Sequence, residues 1–393
     1  MHVVLVIAGT LLAAVYIAGY ARRTVLSTTV LFLAVGLLCG SGLLPFIRVR
    51  ADETFIRQCA GITLFIVLFT DGMRVSAGEL RAHYSLPARA LGIGMPVILL
   101  GTAAAAHALL ELTWVNAFLV GAILSPSDPV LVESIVGREE VPERLRRLLN
   151  IESGLNDGLA LPVVVALVAV SSGLRRSAWA LAVEVVAGVV LGFGVAWAAI
   201  ALERRSFTAA DDYLKFLPVA IGMLVWGLAA ALGVNAYLGA FTAGITIFSF
   251  HPDLKREFDA VGEYLVELVK LAAVFFVGVL LAREFQQRIA WPQAVFVLLA
   301  LAVVRPVAIG LSLAGSALSW RQILVAGWFG PKGFSSVVYA LLVLGSNVSQ
   351  GQEVFHICGL TIAASIVAHS SSDVPIARWL VQHLPRVSQS GTG

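Results

Sequence analysis

Four polar side chains lie close together in one long apolar stretch of the chain. They are Glu152, Ser153, Asn156 and Asp157, at positions i, i+1, i+4 and i+5. On an α-helix these positions share one face about 140° wide. Carboxylate, hydroxyl and amide oxygens are ligands for small hard cations, and the same carboxylates can instead take protons. The spacing therefore predicts a site for a small cation, a proton, or both.

Two stretches place proline, glycine and charge in the middle of an apolar run. The first is Ser125-Pro126-Ser127-Asp128-Pro129-Val130, and the second is Gly327-Trp328-Phe329-Gly330-Pro331-Lys332-Gly333. Proline removes a backbone donor and interrupts a helix. Interrupted backbone survives at membrane depth only beside protein or water. We therefore expect two broken helices, and Asp128 could lie at the same membrane level as Asp157.

The whole chain is too apolar for a water-soluble protein. Of its 393 residues, 59% are hydrophobic and 13% are charged, against about 25% charged residues in an ordinary soluble domain. The mean hydropathy of +0.90 is typical of a chain that packs in lipid. The net charge of +3 is small and dispersed, so no nucleic-acid binding is expected. The cysteines have neither disulfide nor metal-ligand spacing, and no cofactor is expected.

Apolar runs long enough to cross the hydrocarbon layer predict an all-α polytopic membrane protein with about thirteen transmembrane helices. The predicted spans are 3–20, 25–43, 55–72, 86–110, 114–136, 151–171, 178–202, 213–232, 235–249, 263–282, 290–316, 322–345 and 353–371. With the N-terminus outside, 17 lysines and arginines fall on the cytoplasmic side and 7 on the other. Because basic residues favour the cytoplasm, we predict this orientation, with the C-terminus cytoplasmic, in a prokaryotic cell membrane.

The two breaks predict an internal repeat. Each falls in the fifth helix of a six-helix half, where inverted-repeat transporters place crossed discontinuous helices. Residues 1–172 form the first predicted repeat, 173–210 a linker helix and 211–380 the second repeat. Residues 381–393 are expected to form a short cytoplasmic tail.

The remaining charges inside the spans need a partner or a function, because each costs about 2.5–3.5 kcal/mol in a bilayer. Arg305 keeps its charge, and Glu152 is its predicted partner in a structural ion pair. Lys332 lies at the second break, where it can compensate exposed helix ends or lie on the path of an ion. Asp71, near the predicted cytoplasmic end of a span, is interpreted as structural, as is the i,i+3 pair of Glu267 and Lys270.

These features together resemble the sodium/proton exchanger family of the monovalent cation:proton antiporter-1 type. Residues 125–130 are similar to its S/A-P-T-D-P-V stretch, 152–158 to its E-S-x-L-N-D-G/A stretch, and 327–333 to its W-x-G-x-R-G stretch. Arg305-Pro306 and His369 also match, and the resemblance covers nearly the whole chain. Ser127 replaces the usual Thr and keeps a hydroxyl, whereas Lys332 replaces the usual Arg and makes pH sensitivity and stoichiometry harder to transfer.

The resemblance implies a secondary active antiporter that exchanges a monovalent cation for H+ by alternating access. Na+ is the first expectation, with Li+ or K+ as alternatives, in an electroneutral one-for-one exchange that needs no cofactor. Asp157 looks like the carboxylate that binds cation and proton in alternation, and Asp128 with Ser127 looks like its partner, so that these three residues hold Na+. The resemblance also implies a homodimer in the lipid membrane.

The same resemblance assigns the rest of the polar stripe. Asn156 looks like the neutral neighbour found in electroneutral members, and Ser153 joins the expected ion-binding set. Glu152 belongs to that set and also, with Arg305, looks like the family's buried ion pair.

Other functions remain open from the residues alone. An ion-coupled transporter of a small organic anion would use Lys332 and the broken helix ends to bind its substrate. A channel would need a continuous polar path, and an intramembrane enzyme would need a nucleophile with its base or a metal set. Neither an HExxH nor a GxSxG motif lies in a suitable context, so the protein is not expected to be an enzyme.

Overall fold

The chain is all-helical in the computed structural model, which describes residues 2–21, 28–41, 53–128, 141–173, 177–205, 214–284 and 289–383. No strand occurs within these ranges. The first eight helices are α1 (His2–Ala21), α2 (Thr28–Gly40), α3 (Glu53–Gly72), α4 (Ala77–His83), α5 (Ser85–Leu110), α6 (Trp114–Leu124), α7 (Glu143–Ser171) and α8 (Ala178–Glu203). The others are α9 (Leu217–Leu232), α10 (Ala236–Phe250), α11 (Pro252–Glu284), α12 (Trp291–Leu313), α13 (Trp320–Trp328), α14 (Phe334–Leu344) and α15 (Gly351–His383).

Many of these helices are apolar enough for a membrane. Five helices of the described ranges contain spans long enough to cross one, namely α5, α7, α8, α12 and α15. Seven shorter apolar helices accompany them, in α1, α2, α3, α6, α9, α10 and α14. The all-α membrane architecture is therefore confirmed, while the number of thirteen spans stays a prediction.

Several helix ends differ from the ends of the predicted spans. Helix α7 begins at Glu143 rather than at residue 151, because its first two turns are amphipathic and do not register as an apolar run. Helix α6 ends at Leu124, and residues 129–136 of that predicted span lie outside the described residues. Helix α15 continues to His383, so the predicted tail from 381 starts inside a helix.

The helices pack as two groups. One group contains α5, α6, α7 and α12 to α15, and the other contains α1 to α3 and α8 to α11. Contacts between the groups are made mainly by α7, α14 and α15 on one side and by α2, α3 and α11 on the other. This boundary, here called the seam, brings together the helices that carry the predicted site.

Glycines allow close packing inside the second group. Gly36 of α2 lies against Gly278 and the backbone of Phe275 in α11, and Gly192 of α8 lies against Gly239 of α10. A Cβ atom at Gly36, Gly192 or Gly278 would overlap the neighbouring backbone. Since lipid supplies no hydrophobic drive between helices, such backbone contact is how membrane helices gain packing energy.

Helices α5 and α12 share a local distortion. Each contains one π-helical turn, at Ala90–Gly94 and at Ala300–Val304, and each resumes as α-helix with a proline in its first turn. The two helices pack on each other around these turns. The matching turns lie in the fourth and eleventh predicted spans, which are equivalent positions in the predicted internal repeat; the repeat itself stays a prediction.

Candidate functional site

The two breaks cross and hydrogen-bond directly to each other. The amide of Asp128 donates to the carbonyl of Pro331 at 2.9 Å, and the amide of Phe334 donates to Oδ2 of Asp128 at 2.8 Å. Phe334 begins α14, so the carboxylate of the first break lies at a helix N-terminus that opens in the second break. A carboxylate is well placed there, because the first-turn amides carry partial positive charge.

Lys332 makes the opposite contact. Its Nζ donates to the carbonyl of Pro126 at 3.3 Å, just beyond the C-terminal end of α6, where carbonyl groups carry partial negative charge. Ser336 donates to the carbonyl of Ile123 at 2.7 Å in the same region. The first break thus supplies the negative charge of Asp128 to the N-terminal end of α14, and the second break supplies Lys332 to the C-terminal end of α6. Both side chains are buried.

Asp157 lies on α7, facing the first turn of α14. Oδ2 accepts a hydrogen bond of 2.6 Å from the hydroxyl of Ser335, and its backbone carbonyl accepts one of 2.8 Å from Tyr339. Ser335 follows Phe334, so consecutive residues of α14 bind the carboxylates of Asp157 and Asp128. The two carboxylates are close enough for their charges to interact. The structure thus brings the two sequence-predicted acids to one helix end.

Asn156 and Ser127 connect the stripe to the first break. The Asn156 amide nitrogen donates to Oγ of Ser127 at 2.8 Å and to its carbonyl at 3.3 Å. Ser127 in turn donates to Oε1 of Glu152 at 3.4 Å. The amide oxygen of Asn156 is buried and has no hydrogen-bond partner among the residues that the structure describes. That acceptor beside Asp157 is an oxygen suited to a cation.

Glu152 and Arg305 form a bidentate pair. Nη1 and Nη2 of Arg305 donate to Oε1 and Oε2 of Glu152, each at 3.0 Å, and Nη2 also donates to the carbonyl of Phe329 at 3.2 Å. Both side chains are buried. Arg305 therefore joins α7 to the second break. Because a guanidinium stays protonated, its buried charge needs a partner, and the carboxylate of Glu152 neutralises it.

Ser153 points elsewhere. Its hydroxyl donates to the carbonyl of Leu149 at 2.7 Å on its own helix. Its second hydrogen bond, to the carbonyl of Asn150 at 3.3 Å, also stays within α7. Such back-bonding is common for serine in membrane helices.

Asp71 was not among the predicted site residues. It lies at the end of α3, fully buried, and among the described residues neither carboxylate oxygen has a hydrogen-bond partner. Its Oδ1 lies 3.8 Å from Nη1 of Arg74. Other helices therefore cover this end of the apolar run, and the interpretation of Asp71 as a structural residue stays a prediction.

Glu267 and Lys270 face the crossing from α11. With Asp128 and Gly333 they line a cavity of about 20 Å3. One water molecule needs roughly 10–15 Å3 measured in this way, so the cavity has room for one small ligand. Lys270 is close enough to interact electrostatically with Asp71 and Asp157. This pair therefore belongs to the surroundings of the site.

Ser335, Tyr339 and His369 complete the arrangement. Ser335 had a usable signal, since it lies in the first turn after a break, whereas Tyr339 had none. Nε2 of His369 donates to the carbonyl of Trp328 at 3.0 Å, and its Nδ1 lies 3.1 Å from Oγ of Ser365. Ser365 also accepts the amide of Lys332 at 2.7 Å. These contacts satisfy backbone groups that the break exposes.

A helical membrane protein with two crossed, interrupted helices and buried carboxylates at the crossing has the architecture of a secondary transporter. The chain belongs to the sodium/hydrogen exchanger family, since residues 9–379 match the family described as "Sodium/hydrogen exchanger, transmembrane". That family consists of transporters rather than enzymes.

Curated relatives agree with this membership. The chain is 24% identical to the K(+)/H(+) antiporter NhaP of Alkalimonas amylolytica, over 91% of this chain and 63% of that protein. It is 25% identical to the K(+)/H(+) antiporter NhaP2 of Shewanella sp. (strain MR-4), over 98% of this chain and 69% of that protein. It is 27% identical to a Na(+)/H(+) antiporter of Schizosaccharomyces pombe, over 72% and 70%. The chain thus spans about two thirds of the length of these relatives.

A solved structure shares the fold. The sodium proton antiporter MjNhaP1 from Methanocaldococcus jannaschii, at pH 8, superposes with a TM-score of 0.77 at 17% sequence identity. The match covers 98% of this chain and 99% of that one. The antiporter fold of the chain is therefore confirmed.

Proposed function

We propose that this protein exchanges a monovalent cation for protons across a cell membrane. The observation that carries the proposal is the position of Asp157, which is buried and lies opposite the first turn of α14, within electrostatic range of Asp128. A lone buried carboxylate is costly, and either a proton or a cation removes that cost. Because one carboxylate can hold only one of the two, binding of the first excludes the second.

Competition for Asp157 supplies the coupling. A cation would be held by Asp157, by Asp128 and by oxygen atoms of the first break, including Ser127. The buried amide oxygen of Asn156 adds a further neutral ligand. Glu152 is already paired with Arg305. Its role is then to hold the neighbouring site residues in position rather than to supply a charge to the cation. With one exchangeable charge, each turnover trades one cation for one proton.

The seam allows the site to open alternately to the two sides of the membrane. Asp157, Ser335 and both breaks belong to one group of helices, while α2, α3 and α11 face them from the other. Movement of one group against the other would expose the crossing first to one side and then to the other. The empty site, with a bare carboxylate, should cross slowly, so that loaded forms dominate the cycle.

The cation is proposed to be Na+, with K+ as its main competitor. Relatives are named both K(+)/H(+) and Na(+)/H(+) antiporters, so similarity does not choose between them. The small cavity beside Asp128 favours a compact, largely dehydrated ion. We also propose that the protein is a homodimer in the cell membrane.

The test is lumenal pH in proteoliposomes without imposed voltage, after addition of sodium, lithium or potassium. Wild-type protein should move protons against the added cation. Asp157→Asn should lose about 99% of this flux while still inserting, roughly a hundredfold effect, because the amide can hold neither a proton nor a charge that binds a cation. Glu184→Gln in α8 is the matched control and should retain exchange.

Two results would overturn the proposal. Exchange that persists in Asp157→Asn would place the coupling carboxylate elsewhere. Absence of proton movement with every cation, in folded wild-type protein, would instead favour transport of an organic anion. A current that accompanies exchange would refute the one-for-one stoichiometry alone.

A further inference from the structure

A second cavity lies away from the crossing, at the end of α5, α7 and α12 that the orientation analysis predicts to be cytoplasmic. Its volume is about 470 Å3, within the range of small-ligand sites. The polar side chains that line it are Ser85, Arg89, Glu143, Arg144, Arg147 and Ser316. Three arginines face one glutamate, so the cavity carries net positive charge.

The arginines are held in different ways. Nε of Arg89 donates to the carbonyl of Ser312 at 2.7 Å, and its Nη2 bonds to the carbonyl of Ala314. Because a guanidinium carries five N–H donors, these two bonds fix its orientation without exhausting it. Arg147 pairs with Glu143 across an exposed i,i+4 contact, which contributes little stability and can be exchanged for another anion.

Two long helices begin at the same cavity. Ser85 is the first residue of α5 and Glu143 the first residue of α7, and both line the wall. First-turn amides add partial positive charge to that of the arginines. Planar guanidinium groups near such amides match the oxygen geometry of phosphate in particular.

Two exposed aromatic residues flank the cavity in sequence and indicate its level in the membrane. Tyr84 directly precedes the lining residue Ser85, and Trp320 follows soon after the lining residue Ala317. Each of the two aromatic side chains is about three-fifths exposed. Exposed tyrosine and tryptophan concentrate at the level of lipid headgroups. Basic cavities between membrane helices on this side are suited to anionic headgroups.

We propose that this cavity binds an anionic phosphate group. The source is either the headgroup of an anionic phospholipid or free phosphate from the aqueous phase, and the aromatic flanks favour the headgroup. Along α7, Glu143 lies roughly 14 Å and Arg147 roughly 8 Å from Glu152, the partner of Arg305, at 1.5 Å per residue. A bound phosphate would therefore join the same two helices that the ion pair joins.

The experiment measures the thermal unfolding midpoint of the purified full-length chain in neutral detergent. One arm adds phosphatidylglycerol against phosphatidylcholine, and the other adds inorganic phosphate against chloride at equal ionic strength. Wild-type protein should gain stability with phosphatidylglycerol and retain that lipid in native mass spectrometry. Arg144→Gln/Arg147→Gln should weaken the apparent affinity roughly tenfold or more, as expected for lost charge-assisted bonds.

Matched variants separate the cavity from general surface charge. Arg256 and Asp253 form another exposed pair in the first turn of a helix, outside the cavity. Arg256→Gln should leave the lipid response intact. Glu143→Gln should strengthen binding, because it frees Arg147 and removes a negative charge, whereas Asp253→Asn should not.

The two arms also identify the source. A gain with phosphatidylglycerol alone assigns a lipid headgroup, and a gain with inorganic phosphate assigns a soluble phosphate; each must disappear in the double variant. No gain in either arm, an unchanged gain in the double variant, or an equal loss in Arg256→Gln would overturn the proposal.

Discussion

At the scale of single residues, the site separates a charge pair that is already satisfied from Asp157, the carboxylate proposed to exchange ions. Arg305 meets both oxygens of Glu152 and one backbone carbonyl. Asp157 receives one hydroxyl hydrogen bond on Oδ2. The difference explains why neighbouring acids on one helix face can have different proposed roles, one architectural and one in ion exchange.

The buried pair gives a prediction about stability. Arg305→Ala should lower the stability of the folded protein by about 3–5 kcal/mol, because Glu152 would keep an unmatched charge in an apolar interior. The double variant Arg305→Ala/Glu152→Ala should recover part of that loss. The yield of monodisperse protein and its thermal unfolding midpoint measure both effects.

An exposed pair provides the control for this experiment. Arg256→Ala removes one partner of an exposed pair with Asp253 and should change the midpoint little. If Arg305→Ala matched the wild-type midpoint, the pair would not be a structural requirement.

The structure brings together the predicted residues whose type and context were both visible in the sequence. Glu152, Arg305 and Asp157 stand out because ionised groups are rare in apolar runs. Asp71 is equally rare, but its place at the end of a run favoured a structural interpretation near the cytoplasmic interface. Ser335 is marked only by its place in the first turn after a break. Tyr339 looks like an ordinary member of an apolar helix, and only the crossing of α7 and α14 gives it a partner.

At the scale of elements, the second break is shaped by its glycines. A Cβ atom on Gly330 would overlap the guanidinium of Arg305, and one on Gly333 would overlap the carboxylate of Asp128. The glycines are thus needed for space rather than for a left-handed backbone. The sequence alone indicated the break through its closely spaced Gly and Pro residues. It could not show which side chains pack against those glycines.

This steric role can be tested by adding one methyl group. Gly330→Ala should displace Arg305 from Glu152 and destabilise the protein by about 1–3 kcal/mol or more, the usual cost of overpacking. Gly310→Ala in α12 is the matched control, because no atom of the described residues lies within 4 Å of its Cβ position. Thermal unfolding midpoints of the two variants should therefore differ clearly, and equal midpoints would contradict the steric account.

Element boundaries were harder to predict than element identities. The first turns of α7 carry Arg144, Arg146 and Arg147 and were excluded from the apolar run that marked the span. Hydropathy reports the part of a helix that meets lipid, whereas the helix itself continues while its backbone bonds are satisfied. The broken helices were visible because proline acts on the backbone directly.

At the scale of the whole molecule, the orientation rests on the distribution of basic residues. Helix α11 joins Arg256, which should be cytoplasmic, to Ile289 beyond its far end, which should be outside. Cysteine substitutions at these positions, in a chain whose native cysteines Cys39, Cys59 and Cys358 are replaced, make the orientation measurable. An impermeant maleimide on intact cells should label Ile289→Cys and leave Arg256→Cys unlabelled.

Inside-out vesicles give the reciprocal control. There the same reagent should label Arg256→Cys and spare Ile289→Cys. The reversed pattern in both preparations would invert the predicted topology and move the basic cavity to the outer face.

The hydrogen bonds between the two breaks have a consequence for thermodynamics. The hydrogen bonds of Asp128 with Pro331 and Phe334 join both breaks into one body. A bound ion would therefore move together with its ligands instead of passing from one set of ligands to another. The same atoms would then bind the ion on both sides of the membrane. Such a carrier has no preferred direction of transport, and the concentrations of cation and proton on the two sides of the membrane determine the direction of exchange.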